Sequence, residues 1–326
     1  MCFTLARPTP LLLEIKGNAL DDGPGIRSVV FFKGCPLSCV WCHNPESRRR
    51  APELSFDASA CVAGCTRCVA VCQPGAIRPG VSVDRDACTL CFDCVPVCPS
   101  GALRQLGHPA SLAELLESVR ADKPFYDASG GGVTFSGGEP TLAMDFLAEL
   151  AAACRAEGIH TLLETAGHFR WAPFERDVLP HLDAIYYDLK LFDAGAHRRY
   201  CGCDNDRILA NFARLAALAE AGGFELLPRI PLVPGITATE ANVTAIGRFL
   251  LDLGVGRVRL LDYNPTWVDK CGQLGIGPGF AQTDALRTWL APGVAAGLRA
   301  CLTGLGLEVA GTSAPPTRST SKDRLQ

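Results

Sequence analysis

The sequence has no excess of charge of either sign and no long apolar run. Its 326 residues include 31 Lys and Arg against 34 Asp and Glu, which gives a formal net charge of −3. Such a balance offers no electrostatic basis for binding nucleic acid or an anionic membrane. No apolar run reaches the roughly 20 residues that cross a bilayer. The opening MCFTLARPTPLLLEIKG is a poor signal peptide because its apolar stretch is short. We therefore expect a cytoplasmic protein that binds neither nucleic acid nor membrane.

Cysteine, by contrast, is abundant, with 17 residues. Without an export signal thiols stay reduced, so metal binding is a better interpretation than disulfides. Three groups lie between Cys35 and Cys98, and the remaining cysteines are scattered. A redox or metal role is conceivable for Cys201 and Cys203, but ordinary reduced thiols are the simpler interpretation. The same interpretation applies to Cys2, Cys154, Cys271 and Cys301.

Strand and helix patterns alternate along most of the chain and predict about six β/α units. This alternation with short connections indicates a parallel sheet, either a barrel or an open α/β sheet, with its chemistry at the carboxyl ends of the strands. The predicted strands cover residues 26–33, 132–137, 159–167, 184–190, 224–233 and 256–264. The predicted helices begin at Ser111, a good N-cap, and then cover residues 141–158, 172–180, 206–222 and 239–254.

Residues 50–105 differ in kind from the segments around them. They are punctuated by Pro and Gly, rich in cysteine and without apolar periodicity, which predicts a small inserted domain held by metal. The α/β domain would then comprise residues 1–49 and 106–311. The polar residues 312–326 are predicted to be a disordered tail.

Three cysteines stand on one loop directly after the first predicted strand. In KGCPLSCVWCHNPES the spacing of Cys35, Cys39 and Cys42 is C-x3-C-x2-C. Three thiolates can hold three irons of a [4Fe–4S] cluster and leave the fourth iron open for a substrate. The spacing alone also allows a zinc site or an electron-transfer cluster.

The text around this loop resembles the radical S-adenosylmethionine superfamily and, more narrowly, the activating enzymes of glycyl radical enzymes. The resemblance rests on DGPGIR before the cysteines and WCHNPE across the last one. It implies a partial (β/α)6 barrel and an S-adenosylmethionine bound to the open iron, with Trp41, Cys42 and His43 beside its adenosine. The sequence shows no Ser/His/Asp set or carboxylate pair for acid–base catalysis, which fits radical chemistry.

Further motifs of the family follow the later strands. The segment SGGEP contains Gly137, Gly138 and Glu139, and the resemblance places it at the amino group of the methionine. The segment DLK (Asp188, Leu189 and Lys190) would lie near the methionine carboxylate and the ribose. By resemblance or position at a strand end, the cofactor pocket would also include Glu164, Arg229 and Asn264. On the residues alone, the glycines of SGGEP could simply form a turn before a helix. Asp188 and Lys190 could simply form a salt bridge at the barrel mouth.

The inserted region carries two near-repeats of four cysteines. The second is followed by Pro99 and matches the bacterial ferredoxin pattern, in which the fourth cysteine of each run ligates the other cluster. We therefore predict one cluster on Cys61, Cys65, Cys68 and Cys98 and another on Cys88, Cys91, Cys94 and Cys72. Two zinc knuckles are the alternative to the two clusters. The role of the insertion could be relay of electrons, docking of the partner or structural support.

The resemblance implies an oxidoreductase with three [4Fe–4S] clusters. It would cleave S-adenosylmethionine reductively to a 5′-deoxyadenosyl radical, which removes the α-hydrogen of a glycine in a partner glycyl radical enzyme. A flavodoxin or ferredoxin is the expected electron donor. The alternatives are a radical enzyme acting on a small molecule or peptide and, in another class, a ferredoxin-like electron carrier.

Overall fold

A computed structural model describes residues 9–277 and 284–311 of the chain. The predicted tail and Cys2 lie outside the described residues. Among the described helices, none has both the length and the apolar character needed to span a bilayer.

The strands fall into one large sheet and two small two-stranded sheets. In chain order they are β1 Leu11–Ala19, β2 Arg27–Phe32, β3 Glu53–Phe56, β4 Ile77–Arg78, β5 Ser82–Val83, β6 Leu103–Leu106, β7 His108–Pro109, β8 Gly132–Gly137, β9 His160–Thr165, β10 Ala184–Asp188, β11 Glu225–Pro231, β12 Arg257–Leu261 and β13 Glu308–Ala310.

Helices connect the strands of the large sheet, except for α1, which lies in the inserted residues. They are α1 Arg67–Val71, α2 Leu112–Ala121, α3 Lys123–Ser129, α4 Met144–Ala156, α5 Trp171–Pro173, α6 Ala194–Cys201, α7 Asp206–Glu220, α8 Glu240–Asp252, α9 Trp267–Gln273 and α10 Pro292–Gly304. Ser111 caps α2 in a capping box with Glu114, as its sequence predicts. The helix predicted near residues 172–180 is irregular, with α5 followed by a π-turn and a 3₁₀ turn, because Pro173 and Pro180 cannot donate backbone hydrogen bonds.

The large sheet has the order β13-β12-β11-β10-β9-β8-β2-β1-β7. The strands from β2 to β13 are parallel and follow chain order, whereas β1 and β7 are antiparallel. Chain order without a reversal is the topology of a barrel, and the two edge strands, β13 and β7, are not neighbours in it. The partial barrel is therefore confirmed. Three strands of the large sheet were not predicted: β1, and β7 and β13, which are too short to give a pattern.

The inserted residues form a small body beside the barrel. β3 pairs with β6 and so brings the two ends of this body together. Its core contains few apolar side chains and includes two cysteines, Cys68 and Cys94. Buried Lys33 of the barrel donates to Glu53 at 2.7 Å, and Arg85 donates to the carbonyl of Gln273 in α9 at 2.8 Å. These contacts attach the insertion to the barrel. The predicted boundaries at residues 50 and 105 stay a prediction.

Candidate active site

The three-cysteine loop begins at the carboxyl end of β2 with a glycine turn. Gly34 has a φ of +114°, a conformation that favours glycine. Its N–H donates to the carbonyl of Ser47 at 2.6 Å, and the N–H of Cys35 donates to the carbonyl of Arg48 at 3.0 Å. The start of the loop is therefore held by backbone that follows the last cysteine.

The middle of the loop is held by the end of α6. The N–H groups of Ser38 and Val40, on either side of Cys39, donate to the carbonyls of Cys201 and Tyr200 at 2.8 and 3.0 Å. Gly202 has a φ of +88°, and a Cβ atom there would lie 2.0 Å from the Ser38 hydroxyl. The close approach of α6 to the cysteine loop thus requires glycine.

The SGGEP turn after β8 packs directly on the same loop. The N–H of Glu139 donates to the carbonyl of Gly34 at 2.8 Å. A Cβ atom on Gly138 would lie 2.2 Å from that carbonyl oxygen, and Gly137 has a φ of +110°. Gly138 is therefore required by the contact between the two loops, and Gly137 by its own backbone conformation and its approach to Phe32 of β2.

A cavity of about 340 Å³ opens at the carboxyl ends of the parallel strands, where sequence analysis predicts the chemistry. Its size is that of a site for a small ligand. The predicted site residues that line it are Cys35, Cys39, Trp41, Cys42, His43, Gly137, Gly138, Glu164, Asp188, Lys190 and Arg229.

A row of four charged side chains crosses one wall of the cavity. Arg229 donates to Asp188 at 2.8 Å and also to Glu164, and Lys190 donates to Asp188 at 3.0 Å. The row arises from the strand register, because Asp188 of β10 is paired with Arg229 of β11 and Glu164 lies on the neighbouring β9. Ser136 adds a hydrogen bond to Glu164 at 2.7 Å.

Pairing keeps this row charged despite its burial. Burial alone would lower the pKa of Arg229 and Lys190, but the neighbouring carboxylates, Asp188 above all, raise both. Burial would likewise raise the pKa of Asp188, but Arg229 and Lys190 lower it. The cavity wall therefore presents cations and carboxylates side by side at neutral pH.

Glu139, Leu189 and Asn264 do not line the cavity. Glu139 is buried and accepts hydrogen bonds from the Thr165 hydroxyl at 2.8 Å and the Ala166 N–H at 2.8 Å, so its side chain joins the glycine turn to the end of β9. Leu189 lies in the core. Asn264 is exposed, and its side chain accepts from the N–H of Thr266 at 3.0 Å.

Among the lining residues that were not singled out from the sequence, Tyr263 and Asp22 are notable. Tyr263, next to Asn264, is buried with its ring 5.7 Å from that of His43, and its hydroxyl donates to the carbonyl of Leu286 at 2.7 Å. Burial and the cations of Lys270 and Lys190 lower the pKa of His43 to about 4, so its ring is neutral at pH 7. Asp22 also lines the cavity, and burial and Glu164 raise its pKa to about 6. Because Asp22 is the first residue of the DGPGIR segment, the sequence did contain a signal that could have placed it in the site.

The inserted cysteines gather in the two predicted sets. Cys61, Cys65, Cys68 and Cys98 line one small cavity. In the other set, burial and then Cys88, Cys91 and Cys72 raise the pKa of Cys94 to about 11. Cys98 thus lies beside the first run of cysteines and Cys72 near the second.

The thiols suit a metal cluster. The cysteines of residues 9–277 and 284–311 are all free. Burial raises the pKa of Cys42 to about 12, so its thiolate needs a positive centre beside it. Iron fits that requirement.

Comparisons with known proteins agree with this geometry. A family model described as a 4Fe-4S single cluster domain matches residues 21–186. The isethionate sulfite-lyase activating enzyme of Nitratidesulfovibrio vulgaris is 40% identical over 81% of this chain and 87% of its own. The (2S)-3-sulfopropanediol dehydratase activating enzyme of Klebsiella oxytoca is 37% identical over 78% of this chain and 81% of its own.

A solved structure gives a further comparison. It is a domain of the pyruvate-formate lyase-activating enzyme of Bacteroides vulgatus, 27% identical, with a TM-score of 0.44. The match covers 55% of this chain and 98% of that domain.

Proposed function

The chain belongs to the activating enzymes of glycyl radical enzymes, and on that premise we propose which of its residues carry the chemistry. The resemblance drawn from the sequence is confirmed. The protein is an oxidoreductase that cleaves S-adenosylmethionine and generates a glycyl radical in a partner glycyl radical enzyme. An electron carrier without catalysis and an enzyme for small molecules or peptides are the less favoured interpretations.

Cys35, Cys39 and Cys42 hold the catalytic [4Fe–4S] cluster. One observation carries this proposal: the three thiols and the charged row lie on one cavity at the carboxyl ends of the strands. When bound, the cluster supplies one electron to the sulfonium of S-adenosylmethionine. The surrounding loops fix the thiols through backbone hydrogen bonds, so the site is organised by the barrel.

The cavity wall has the groups needed to orient an amino acid. The half-buried backbone of Gly137 and Gly138 lines the cavity and would face the amino group of S-adenosylmethionine, whose positive charge the neighbouring carboxylates would favour electrostatically. Lys190 and Arg229 supply the positive charge for the methionine carboxylate. Because Lys190 and Arg229 are already paired with carboxylates of the row, binding of the cofactor would replace some of these ion pairs with new ones.

Trp41, His43 and Tyr263 form the side of the cavity for the adenosine. All three are aromatic, and the neutral ring of His43 beside Tyr263 offers a face for stacking. Tyr263 therefore takes the role that sequence analysis gave to Asn264. Glu139 contributes by fixing the glycine turn through its buried hydrogen bonds.

The insertion carries two further [4Fe–4S] clusters, for three in all. The proximity of Cys98 to the first run and of Cys72 to the second supports the crosswise ligand sets. A flavodoxin or ferredoxin is the proposed electron donor, and the cytoplasm, where thiols stay reduced, the proposed compartment.

The test is anaerobic. Reconstituted enzyme with dithionite and S-adenosylmethionine should form 5′-deoxyadenosine, and Cys39→Ala should form none, because a site-differentiated cluster needs all three thiolates. Cys301→Ala, a half-buried cysteine of α10, is the matched control and should behave like wild type. Iron analysis should give about twelve irons per chain. Product from Cys39→Ala would overturn the catalytic ligand set, and about four irons in wild type would overturn the two-cluster insertion.

A further inference from the structure

Helix α9 contacts both the cysteine loop and the insertion, and the proposed function gives it no role. It spans Trp267–Gln273 and lies after β12. Trp267 and Cys271, one turn apart, are buried in an apolar cluster with Leu37 and Trp41 of the cysteine loop. The helix is therefore packed directly against the loop that carries the proposed cluster ligands.

The ammonium group of Lys270 in α9 holds the segment that follows Cys42. Its Nζ donates to the His43 carbonyl at 3.1 Å, to Asn44 Oδ1 at 3.3 Å and to Glu46 Oε1 at 2.6 Å. A lysine ammonium has three donors, so all of them are engaged on this one segment. An isolated ion pair would contribute little here, because the Lys270 side chain is 43% exposed. One cation that joins a carbonyl, an amide and a carboxylate instead fixes the path of the chain.

The last residue of α9 is bound by the insertion. The carbonyl of Gln273 accepts a hydrogen bond from Arg85 at 2.8 Å, and its side-chain amide donates to Asp57 Oδ2 at 3.3 Å. Gly275, just beyond the helix, has a φ of +67°, and a Cβ atom there would lie 2.9 Å from the Arg85 Nε. The chain therefore turns closely around Arg85, and α9 joins the insertion to the segment after Cys42.

The segment that Lys270 holds forms part of the cofactor cavity. His43 and Asn44 both line this cavity, and the His43 ring lies 5.7 Å from that of Tyr263. Tyr263 is itself bonded to the helix, because Trp267 Nε1 donates to its hydroxyl at 2.7 Å. Helix α9 thus holds both of the rings that stand side by side at this part of the cavity.

We propose that Lys270 is a positioning residue that fixes His43 for the binding of S-adenosylmethionine, and that the insertion supports it through α9. The inference rests on the proposed function, which assigns His43 and Tyr263 to the adenosine. A segment that is already held in place loses less conformational freedom when the cofactor binds. Loss of Lys270 should therefore weaken binding more than it slows the chemical step.

Lys123 in α3 provides a matched control. Its ammonium donates to Asp127 at 2.7 Å, and its side chain, 34% exposed, is about as accessible as that of Lys270. Neither Lys123 nor Asp127 lines the cofactor cavity. Lys123→Met therefore removes a comparable lysine pair at a distance from the proposed site, whereas Lys270→Arg keeps a cation with several donors in place.

The experiment measures the dissociation constant of S-adenosylmethionine for the reconstituted full chain by anaerobic equilibrium dialysis. We expect it to rise about tenfold in Lys270→Met, to recover most of the way in Lys270→Arg and to match wild type in Lys123→Met. In the formation of 5′-deoxyadenosine, the KM of S-adenosylmethionine should rise more than kcat falls. Before cofactor is added, amide hydrogen exchange of residues 43–47 should be faster in Lys270→Met than in wild type.

Arg85→Met tests the support that the insertion gives. It removes the hydrogen bond to the Gln273 carbonyl, and we expect the dissociation constant to rise about threefold. The double variant with Lys270→Met should rise no further than Lys270→Met alone, because both changes act on the same helix. Effects that multiply in the double variant would contradict a shared route through α9.

Four further results would overturn the proposal. The first two are equal dissociation constants in Lys270→Met and Lys123→Met, and no recovery in Lys270→Arg. The third is an unchanged dissociation constant in Arg85→Met, whether or not its insertion keeps iron. The fourth is loss of about four irons in Lys270→Met, because the lysine would then be needed for the catalytic cluster itself. Failure of the proposed function looks different, since wild type would then neither bind S-adenosylmethionine nor form 5′-deoxyadenosine.

Discussion

The cysteine loop at the barrel mouth and the cysteines of the insertion are organised in opposite ways. The loop is fixed by hydrogen bonds to backbone outside it, at residues 47–48 just after it and at residues 200–201 far away in sequence. The insertion has a small core in which Cys68 and Cys94 are themselves core side chains. The barrel thus positions its thiols, whereas in the insertion the thiols, with their metal, must help to hold the fold together. Each prediction below tests that contrast.

Removal of iron should have the largest effect. Without metal, we expect amide hydrogen exchange across Glu53–Leu106 to accelerate by about two orders of magnitude or more, since small metal-held domains unfold without their metal. Helix α4, whose Leu147, Leu150 and Cys154 are fully buried in the barrel core, should keep its protection. The measurement is exchange followed by mass spectrometry with and without iron. Equal protection of both segments in the apo protein would contradict the contrast.

Loss of Arg229 should have the next largest effect, because ion pairs rather than metal hold the barrel side of the site. Arg229→Met leaves the carboxylates of Glu164 and Asp188 buried without their main partner, and we expect a loss of about 3–5 kcal/mol in the free energy of unfolding. Lys190 still reaches Asp188, so Glu164 suffers most.

Arg257 is the matched control for this measurement. It pairs with Glu225 at 3.4 Å, but its side chain is 52% exposed. Arg257→Met should therefore cost no more than about 1 kcal/mol. Denaturant unfolding of both variants decides the point, and equal losses would show that the row at the cavity wall does not stabilise the barrel mouth.

The same contrast explains what the sequence could and could not predict. The sequence predicted the residues that are close together on one loop, since these are also close in space. Examples are Cys35, Cys39 and Cys42 and the glycines of SGGEP. Contacts that depend on three-dimensional register were missed. Tyr263 was passed over for its polar neighbour Asn264, since the sequence does not show which side chain at a strand end faces the cavity.

Cys201 illustrates the other limit. Its carbonyl accepts the N–H of Ser38, far away in sequence, and the turn at Gly202 allows this close approach. Glu139 was predicted for the correct loop, but the direction of its side chain depends on Thr165 and Ala166 at another strand end. Fold class, by contrast, follows from alternation along the chain, which needs no long-range contact.

The smallest predicted effect is on the pH dependence of stability. Here too the two regions differ, because the pKa shifts of their aspartates have opposite signs. Burial and Glu164 raise the pKa of Asp22 at the barrel mouth to about 6, whereas hydrogen bonds from Ser59 lower the pKa of Asp57 in the insertion. A raised pKa means that the folded state holds the proton more tightly than the unfolded state. The stability that Asp22 contributes is therefore present below about pH 4 and is lost as the pH rises through about 6.

Asp22→Asn should remove this dependence. Between about pH 5 and about pH 7, we expect wild type to lose about 1 kcal/mol relative to Asp22→Asn, because burial of Asp22 is incomplete. The pKa of His43 is lowered, so its titration changes the stability with pH in the opposite direction. Taking the difference between the two proteins cancels this contribution. Asp21→Asn, an exposed neighbour, is the control and should track wild type. A difference between wild type and Asp22→Asn that stays constant over this range would mean that Asp22 is already ionised at pH 5, and that the cavity wall is as open to water as the surface of the insertion.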